Sequence, residues 1–155
     1  MKFLIDSSLS TAEKNELIEL WNKEYPIELM YSSTEAFDDY LSALPNLAHI
    51  LLIDEQNKIR GWYFDFEREG EKWFGLILDT KVQNKGLGTR FLKLAQQKEK
   101  ALNAWVIQDD KYQKLDGDNY RSPLNFYLEN GFKMIPENKL EGGKIAAVKI
   151  KWTKN

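Results

Sequence analysis

The chain has 155 residues and a mass of 18.2 kDa, with 43% apolar, 13% aromatic and 30% charged residues. Domains cluster at roughly 100–200 residues, so this length predicts a single domain spanning 1–155. The absence of cysteine excludes disulfides, thiol nucleophiles and Cys-ligated zinc, and the one histidine, His49, excludes multi-histidine metal sites. We therefore expect no metal cofactor.

Charge is unevenly distributed along the sequence. Residues 1–80 carry seven basic and 16 acidic side chains, a net charge of −9. Residues 81–100 carry six basic side chains and one acidic side chain, a net charge of +5. Residues 101–155 carry nine basic and seven acidic side chains, a net charge of +2. The net charge of −2 argues against nucleic acid as a partner. The asymmetry predicts an anionic ligand on one surface, with a cationic ligand on another as a weaker expectation.

The sequence contains no apolar run close to the roughly 20 residues of a membrane span. The N-terminal apolar stretch meets Asp6 too early for a signal peptide. We therefore expect a cytoplasmic protein with no membrane partner.

The N-terminal half is predicted to contain one strand, two helices and an antiparallel meander of three strands. Residues 10–13 form a capping box for the first helix, which Pro26 ends. Ser33 or Thr34 caps the second helix, and Pro45 ends it. The predicted strands are 2–6, 48–54, 59–67 and 72–78.

The strand at 59–67 alternates between two faces. One face carries Trp62, Phe64 and Phe66, and the other carries Gly61, Tyr63, Asp65 and Glu67. We expect these aromatic side chains, with Trp73 and Phe74 of the next strand, to form core. A pocket for an apolar or cationic acceptor is the alternative. His49 is expected to be a strand residue with a satisfied ring rather than a catalyst.

The C-terminal half is predicted to contain two helices and three strands. A helix of about 14 residues follows a loop at 83–88. Its predicted buried stripe is Leu87, Phe91, Leu94, Ala95, Ala101 and Leu102. Ala104–Gln108 is the next predicted strand, which makes a right-handed parallel crossover.

A polar loop at 109–121 precedes the last helix. Ser122 is predicted to cap that helix with Pro123 at its first position, and Gly131 to end it. Phe132–Ile135 and Ala146–Trp152 are the closing strands. The resulting order, β-α-α-β-β-β-α-β-α-β-β, predicts a mixed α/β sheet.

The most informative segment is the loop that joins the strand ending at Leu78 to the helix. Gly86 and Gly88 lie where this helix begins, and free amides at a helix N-terminus favour a phosphate. Lys85 and Arg90 add positive charge. The spacing fits neither the nucleoside-triphosphate loop nor the dinucleotide fingerprint. A simple Gly-x-Gly connector remains the alternative.

Two motifs resemble the GNAT superfamily of N-acyltransferases. Gln83-Asn84-Lys85-Gly86-Leu87-Gly88 has the pattern Gln/Arg-x-x-Gly-x-Gly/Ala of its acyl-CoA pyrophosphate loop. Phe126-Tyr127-Leu128-Glu129-Asn130-Gly131-Phe132 resembles its Phe/Leu-Tyr-x-x-x-Gly-Phe segment. The separation and element order also match, so the resemblance covers essentially the whole chain. It implies a GNAT-like sheet of about seven strands with about four helices.

The resemblance implies acetyl-CoA as co-substrate, held where the strands before and after the third helix splay apart. It places the pantetheine arm beside Leu78 and a backbone amide near residues 76–78 on the thioester carbonyl. The residues implied to surround the pyrophosphate are Gln83, Asn84, Lys85, Gly86, Leu87, Gly88 and Thr89. The family's Asn-x-x-Ala step is absent here, so Asn119 is a displaced candidate, with Arg121 or Ser122 as alternatives.

By the same resemblance, Tyr127 is the acid that protonates the leaving thiolate, which suits a phenol with an ordinary pKa near 10. A core tyrosine with a satisfied hydroxyl is the alternative. The slot of the family's glutamate base holds Lys72. Other candidate bases are Asp65, Glu67, Glu71 and Asp79, although each is expected to be a solvated carboxylate at a strand edge. A water-relayed base is the other alternative.

The implied function is acetyl transfer to a primary amine of a small molecule or peptide, by direct attack in a ternary complex. The acidic residues 1–80 agree with a cationic acceptor. A non-catalytic acyl-CoA-binding or regulatory module is the alternative, and a homodimer is one possible assembly.

Overall fold

The computed structural model describes residues 1–155 and contains one seven-stranded mixed sheet. The strands are β1 (Lys2–Asp6), β2 (Ala48–Ile53), β3 (Ile59–Arg68), β4 (Glu71–Leu78), β5 (Ala101–Val106), β6 (Lys133–Leu140) and β7 (Ala147–Thr153). The helices are α1 (Thr11–Glu24), α2 (Thr34–Ser42), α3 (Leu87–Lys98) and α4 (Leu124–Glu129). The strands lie in the order β1-β2-β3-β4-β5-β7-β6, and only β4 and β5 are parallel. The predicted fold class and element order are confirmed.

Side-chain caps start both N-terminal helices. The Glu13 amide donates to Ser10 Oγ at 3.1 Å, and the Ser10 amide donates to Glu13 Oε1 at 2.8 Å. The Ala36 amide donates to Ser33 Oγ at 3.1 Å, so Ser33 rather than Thr34 caps α2. These bonds satisfy amides that lack a partner inside the helix, which is why α1 and α2 begin where the sequence predicts.

The sheet separates two apolar cores. The alternation of β3 sends Tyr63 to the core beneath α3, and Trp62 and Phe64 to the core beneath α1 and α2. The aromatic side chains of β3 and β4 are buried, so their predicted core role is confirmed. His49 is buried among them, and its Nδ1 accepts the Trp62 indole N–H at 3.0 Å, which satisfies the ring as expected.

The boundary between α3 and β5 differs from the prediction. The helix ends at Lys98, and Ala101 and Leu102 belong to β5 rather than to the helix stripe. Glu99 is already extended (φ −111°, ψ 152°), and Leu102 is buried opposite Trp152 of β7. Pairing with β7 therefore sets the start of β5, and this partner is distant in sequence.

Two further boundaries near the C-terminus were predicted wrongly. Pro123 is the N-cap of α4 rather than its first residue, although Ser122 Oγ still accepts the Leu124 amide at 3.3 Å. Strand β6 continues past Pro136 to Leu140. An edge strand accommodates proline because one side of its backbone has no strand partner, and the β6–β7 register shifts between Ile135 and Lys139.

Candidate active site

The central strands β4 and β5 pair at one point only. Trp73 lies opposite Asn103, and no other pair of residues continues the parallel ladder. Towards its C-terminal end, β4 lines a cleft of about 1170 Å³ with residues Leu76–Leu78. The two strands before and after α3 therefore separate, which is the arrangement that the sequence resemblance implies.

The turn into α3 presents free backbone amides beside this cleft. Gly86 is the N-cap with φ 78°, and Asn84 also has a left-handed backbone with φ 62°. No side chain caps this helix. The amides of its first residues, 87–89, consequently lack intrahelical acceptors, and the helix dipole makes this end positive.

The two glycines of the loop are needed for different reasons. A Cβ on Gly86 would meet nothing within 4 Å, so its requirement is the left-handed φ. A Cβ on Gly88 would lie 2.8 Å from Cζ of Phe126. Gly88 therefore permits the close approach of α3 to α4, while open space remains in front of Gly86.

Most of the predicted cofactor contacts lie together. The residues lining the cleft include Leu78, Gln83, Asn84, Gly86, Thr89, Asn119 and Tyr127. Lys85, Leu87 and Gly88 do not line it: the Leu87 side chain is buried in the core, and Lys85 points to solvent. The side chain of Gln83 donates to the Leu78 carbonyl at 2.8 Å, which fixes the loop against the end of β4.

Tyr127 combines a core ring with a hydroxyl at the cleft. Its ring packs edge-on against Phe74, Phe126 and Phe132, with ring centroids 5.1–5.8 Å apart. The residue is 6% exposed, and its hydroxyl makes no hydrogen bond within the protein. Burial, with a smaller effect of Tyr120, raises the pKa of Tyr127 well above its ordinary value. The phenol is therefore protonated at neutral pH and free to donate.

Sequence reasoning missed Glu24, the last residue of α1. Glu24 is 6% exposed and lines the cleft. Its carboxylate accepts the Thr80 amide at 2.8 Å and the Thr80 hydroxyl at 2.7 Å, and Lys114 Nζ lies 3.5 Å away. Glu24 thereby joins α1 to the segment just before the glycine loop. An acidic residue at a helix end carries no local signal for such a contact.

The predicted strand-edge carboxylates do not line the cleft. Asp79 is 4% exposed and bonded to Lys23 and Arg60, so its description as solvated was wrong. Although burial opposes the effect, the Lys81 amide and these two cations lower the pKa of Asp79. Asp65 is also buried, and it accepts the Tyr63 hydroxyl at 2.8 Å.

A hairpin spanning 112–120 forms one wall of the cleft. The Tyr120 amide donates to the Tyr112 carbonyl and the Lys114 amide to the Asp118 carbonyl, each at 2.8 Å. The sequence predicted only a polar loop here. Tyr120 faces Tyr25 across the cleft, with ring centroids 6.5 Å apart.

No cluster of three or more His, Asp or Glu side chains is placed to hold a metal ion. None of the helices is long and apolar enough to cross a membrane.

Comparison with known proteins identifies the fold. Neither a scan against protein-family models nor a search of curated proteins returned a match. An aminoglycoside 6'-N-acetyltransferase complexed with coenzyme A superposes with a TM-score of 0.72 at 15% identity, over 99% of this chain and 97% of that one. A GNAT superfamily phosphinothricin acetyltransferase from Sinorhizobium meliloti, in complex with AcCoA, gives 0.66 at 12% identity, over 99% and 89%.

The chain has the GNAT fold. The ribosomal-protein-S18-alanine N-acetyltransferase from Escherichia coli shares it, with a TM-score of 0.65 at 13% identity over 98% of this chain and 94% of that one. Within this GNAT fold, the cleft lies where β4 stops pairing with β5 and where the N-terminus of α3 has no side-chain cap.

Proposed function

We propose that the chain is an acetyl-CoA-dependent N-acetyltransferase acting on a primary amine of a small molecule or peptide. The observation that carries this proposal is the convergence of three features in one cleft: an uncapped α3 N-terminus, separated strands β4 and β5, and the free hydroxyl of Tyr127. Solved structures of the same fold with coenzyme A or AcCoA support it.

The glycine loop fits a pyrophosphate. Amides from Gln83 to Thr89 would surround its oxygens, and the positive end of the α3 dipole favours their charge. The space in front of Gly86 leaves room for this close approach. Asn119, on the opposite wall, is our candidate for a contact to the cofactor arm.

Bound acetyl-CoA supplies an acetyl thioester for direct attack by the amine in a ternary complex. A backbone amide near residues 76–78 stabilises negative charge on the carbonyl oxygen. Tyr127 donates its proton to the departing sulfur and regains a proton from solvent, and its raised pKa keeps the hydroxyl protonated before the C–S bond breaks. Holding both substrates in one cleft contributes about 7–11 kcal/mol by proximity. We assign removal of the amine proton to a water relay, because none of the four strand carboxylates considered as bases lines the cleft, and Glu24, which does line it, already accepts from both donors of Thr80.

Release of free coenzyme A from acetyl-CoA across a panel of amines tests this function. Tyr127→Phe should lower kcat on the order of 100-fold with little change in acetyl-CoA affinity, because only the transferable proton is lost. Tyr120→Phe is the matched control, since it removes another tyrosine hydroxyl from the same cleft. Tight acetyl-CoA binding without turnover on any amine would contradict catalysis and favour a non-catalytic binding module.

A further inference from the structure

Strand β1 is an exposed sheet edge with apolar side chains. It pairs with β2 along one side, over five residues from Lys2 to Asp6, and has no strand on the other side. Leu4 is 42% exposed and Ile5 61% exposed. An edge of this kind presents a row of unpaired N–H and C=O groups together with apolar surface, which is a template for another strand.

The opposite edge, β6, is protected against such pairing. It contains Pro136, which has no N–H to donate, and lysines at positions 133 and 139. Its register is also interrupted between Ile135 and Lys139. Proline, lysine and irregularity are the devices by which proteins blunt sheet edges. Strand β1 has a regular register and no proline, so the two edges of one sheet differ in their capacity to accept a partner.

The sequence of β1 is complementary to itself in the antiparallel direction. With a two-fold axis at Leu4, Lys2 of one copy lies opposite Asp6 of the other, and Phe3 lies opposite Ile5. Opposite charges directly across an antiparallel pair are stabilising, as are apolar pairs. Lys2 has no ion-pair partner within the chain, and Asp6 accepts the Ser8 amide at 3.1 Å but no cationic group.

We propose that two copies of this chain associate through β1, which joins their sheets into one continuous antiparallel sheet with the two-fold axis at Leu4. This register pairs both charges and covers Leu4 and Ile5 at once. A slip of one residue in either direction would break both Lys2–Asp6 pairs and place at least one of these charges opposite an apolar residue. Five residues per copy form a small interface, so the dimer is weak and dependent on concentration. The inference is independent of the proposed catalytic function.

Disulfide trapping tests the register, because the chain has no cysteine of its own. In Leu4→Cys, the two Cα atoms would face each other at about 4.5–5.5 Å, within the range that a disulfide bridges. In the control, Ile5→Cys, the thiols would be diagonal neighbours at about 7–8 Å. Mild oxidation should cross-link Leu4→Cys faster than Ile5→Cys, although Ile5 is the more exposed of the two residues. Equal or faster cross-linking of Ile5→Cys would overturn the proposed pairing.

Charge reversal tests the same pairing without a thiol. Lys2→Glu places two like-charged pairs in the dimer and should raise the dissociation constant on the order of tenfold, measured by sedimentation over a concentration series. Adding Asp6→Lys to Lys2→Glu should restore the wild-type constant. Failure of the double variant to recover while its monomer remains folded, or a wild-type mass of 18.2 kDa at every concentration, would overturn the proposal.

Discussion

The two ends of the β4–β5 strand pair differ in how their backbone is satisfied. At the closed end, Trp73 pairs with Asn103, and Asn103 Nδ2 donates to the Lys72 carbonyl at 3.0 Å. At the open end, residues 76–78 line a cleft instead of continuing the ladder. The same two strands therefore form sheet at one end and border a candidate site at the other. The difference shows that a binding site can arise where regular pairing stops, because the backbone groups there are free for a ligand.

The largest expected effect is at the open end, in Gly86→Glu. Its carboxylate would face the proposed pyrophosphate, and the left-handed φ of 78° would be strained as well. Stabilisation by acetyl-CoA in a thermal-shift measurement should disappear. Gly86→Ala is the control for backbone strain, since it adds no charge and its Cβ meets open space. Unchanged stabilisation of the Glu variant would place the ligand elsewhere.

The next effect is at the closed end, in Asn103→Asp. Asn103 is fully buried, and its Oδ1 already lacks a hydrogen-bond partner. A charged carboxylate there, facing the Lys72 carbonyl, should lower the free energy of unfolding by about 3 kcal/mol. Acetyl-CoA affinity of the folded protein should stay at the wild-type value. Chemical denaturation and calorimetric titration separate the two quantities, and a selective loss of affinity would contradict the division between the ends.

A smaller effect is expected in Glu24→Gln, beside the open end. The variant keeps the size of the side chain but loses charge-assisted acceptance from both donors of Thr80. The free energy of unfolding should fall by about 1–2 kcal/mol, and acetyl-CoA affinity should fall with it, because Thr80 precedes the glycine loop. Glu19→Gln, on an exposed position of the same helix, should change neither. A loss of stability alone would show that Glu24 does not position the loop.

The smallest effect concerns Asp65, near the closed end. Burial raises the pKa of Asp65, against the lowering effects of Tyr63 and Lys72. A carboxyl whose pKa is higher in the folded state contributes stability below its unfolded pKa of about 4, and this stability is lost as pH rises through the folded pKa. Asp65→Asn should therefore be slightly more stable than wild type at pH 7, with no such gain at pH 3. Chemical denaturation at both pH values measures this difference, and a less stable variant at pH 7 would contradict the sign.

Local sequence signals predicted much of the fold. The capping box of α1, the alternation of β3 and the Gly-x-Gly turn depend on neighbouring residues, and these features occur where they were expected. The errors have non-local causes: β5 begins at Ala101 because β7 pairs with it, and β6 continues through Pro136 because it is an edge.

The candidate site was predictable where a sequence motif marks it: the glycine loop gave Gln83–Thr89, and the resemblance added Leu78, Asn119 and Tyr127, which also line the cleft. The loop from Gln83 to Thr89 was identified from sequence because its amides are contiguous. Glu24 was not predicted, because it contacts Thr80 and Lys114, which lie more than 50 positions away in the sequence. The sequence named Asn119 but not the hairpin that carries it, because a single bridge between Gln113 and Asn119 inside a polar stretch leaves no alternation to detect.

Amide chemical shifts during titration with acetyl-CoA test the central claim most directly. If acetyl-CoA binds at the open end, ¹⁵N–¹H resonances of residues 84–89 and 76–78 should shift in a saturable way. Those of Trp73 and Asn103, at the closed end, should stay in place. Shifts centred on the closed end, or saturable binding that leaves residues 84–89 unmoved, would contradict the account.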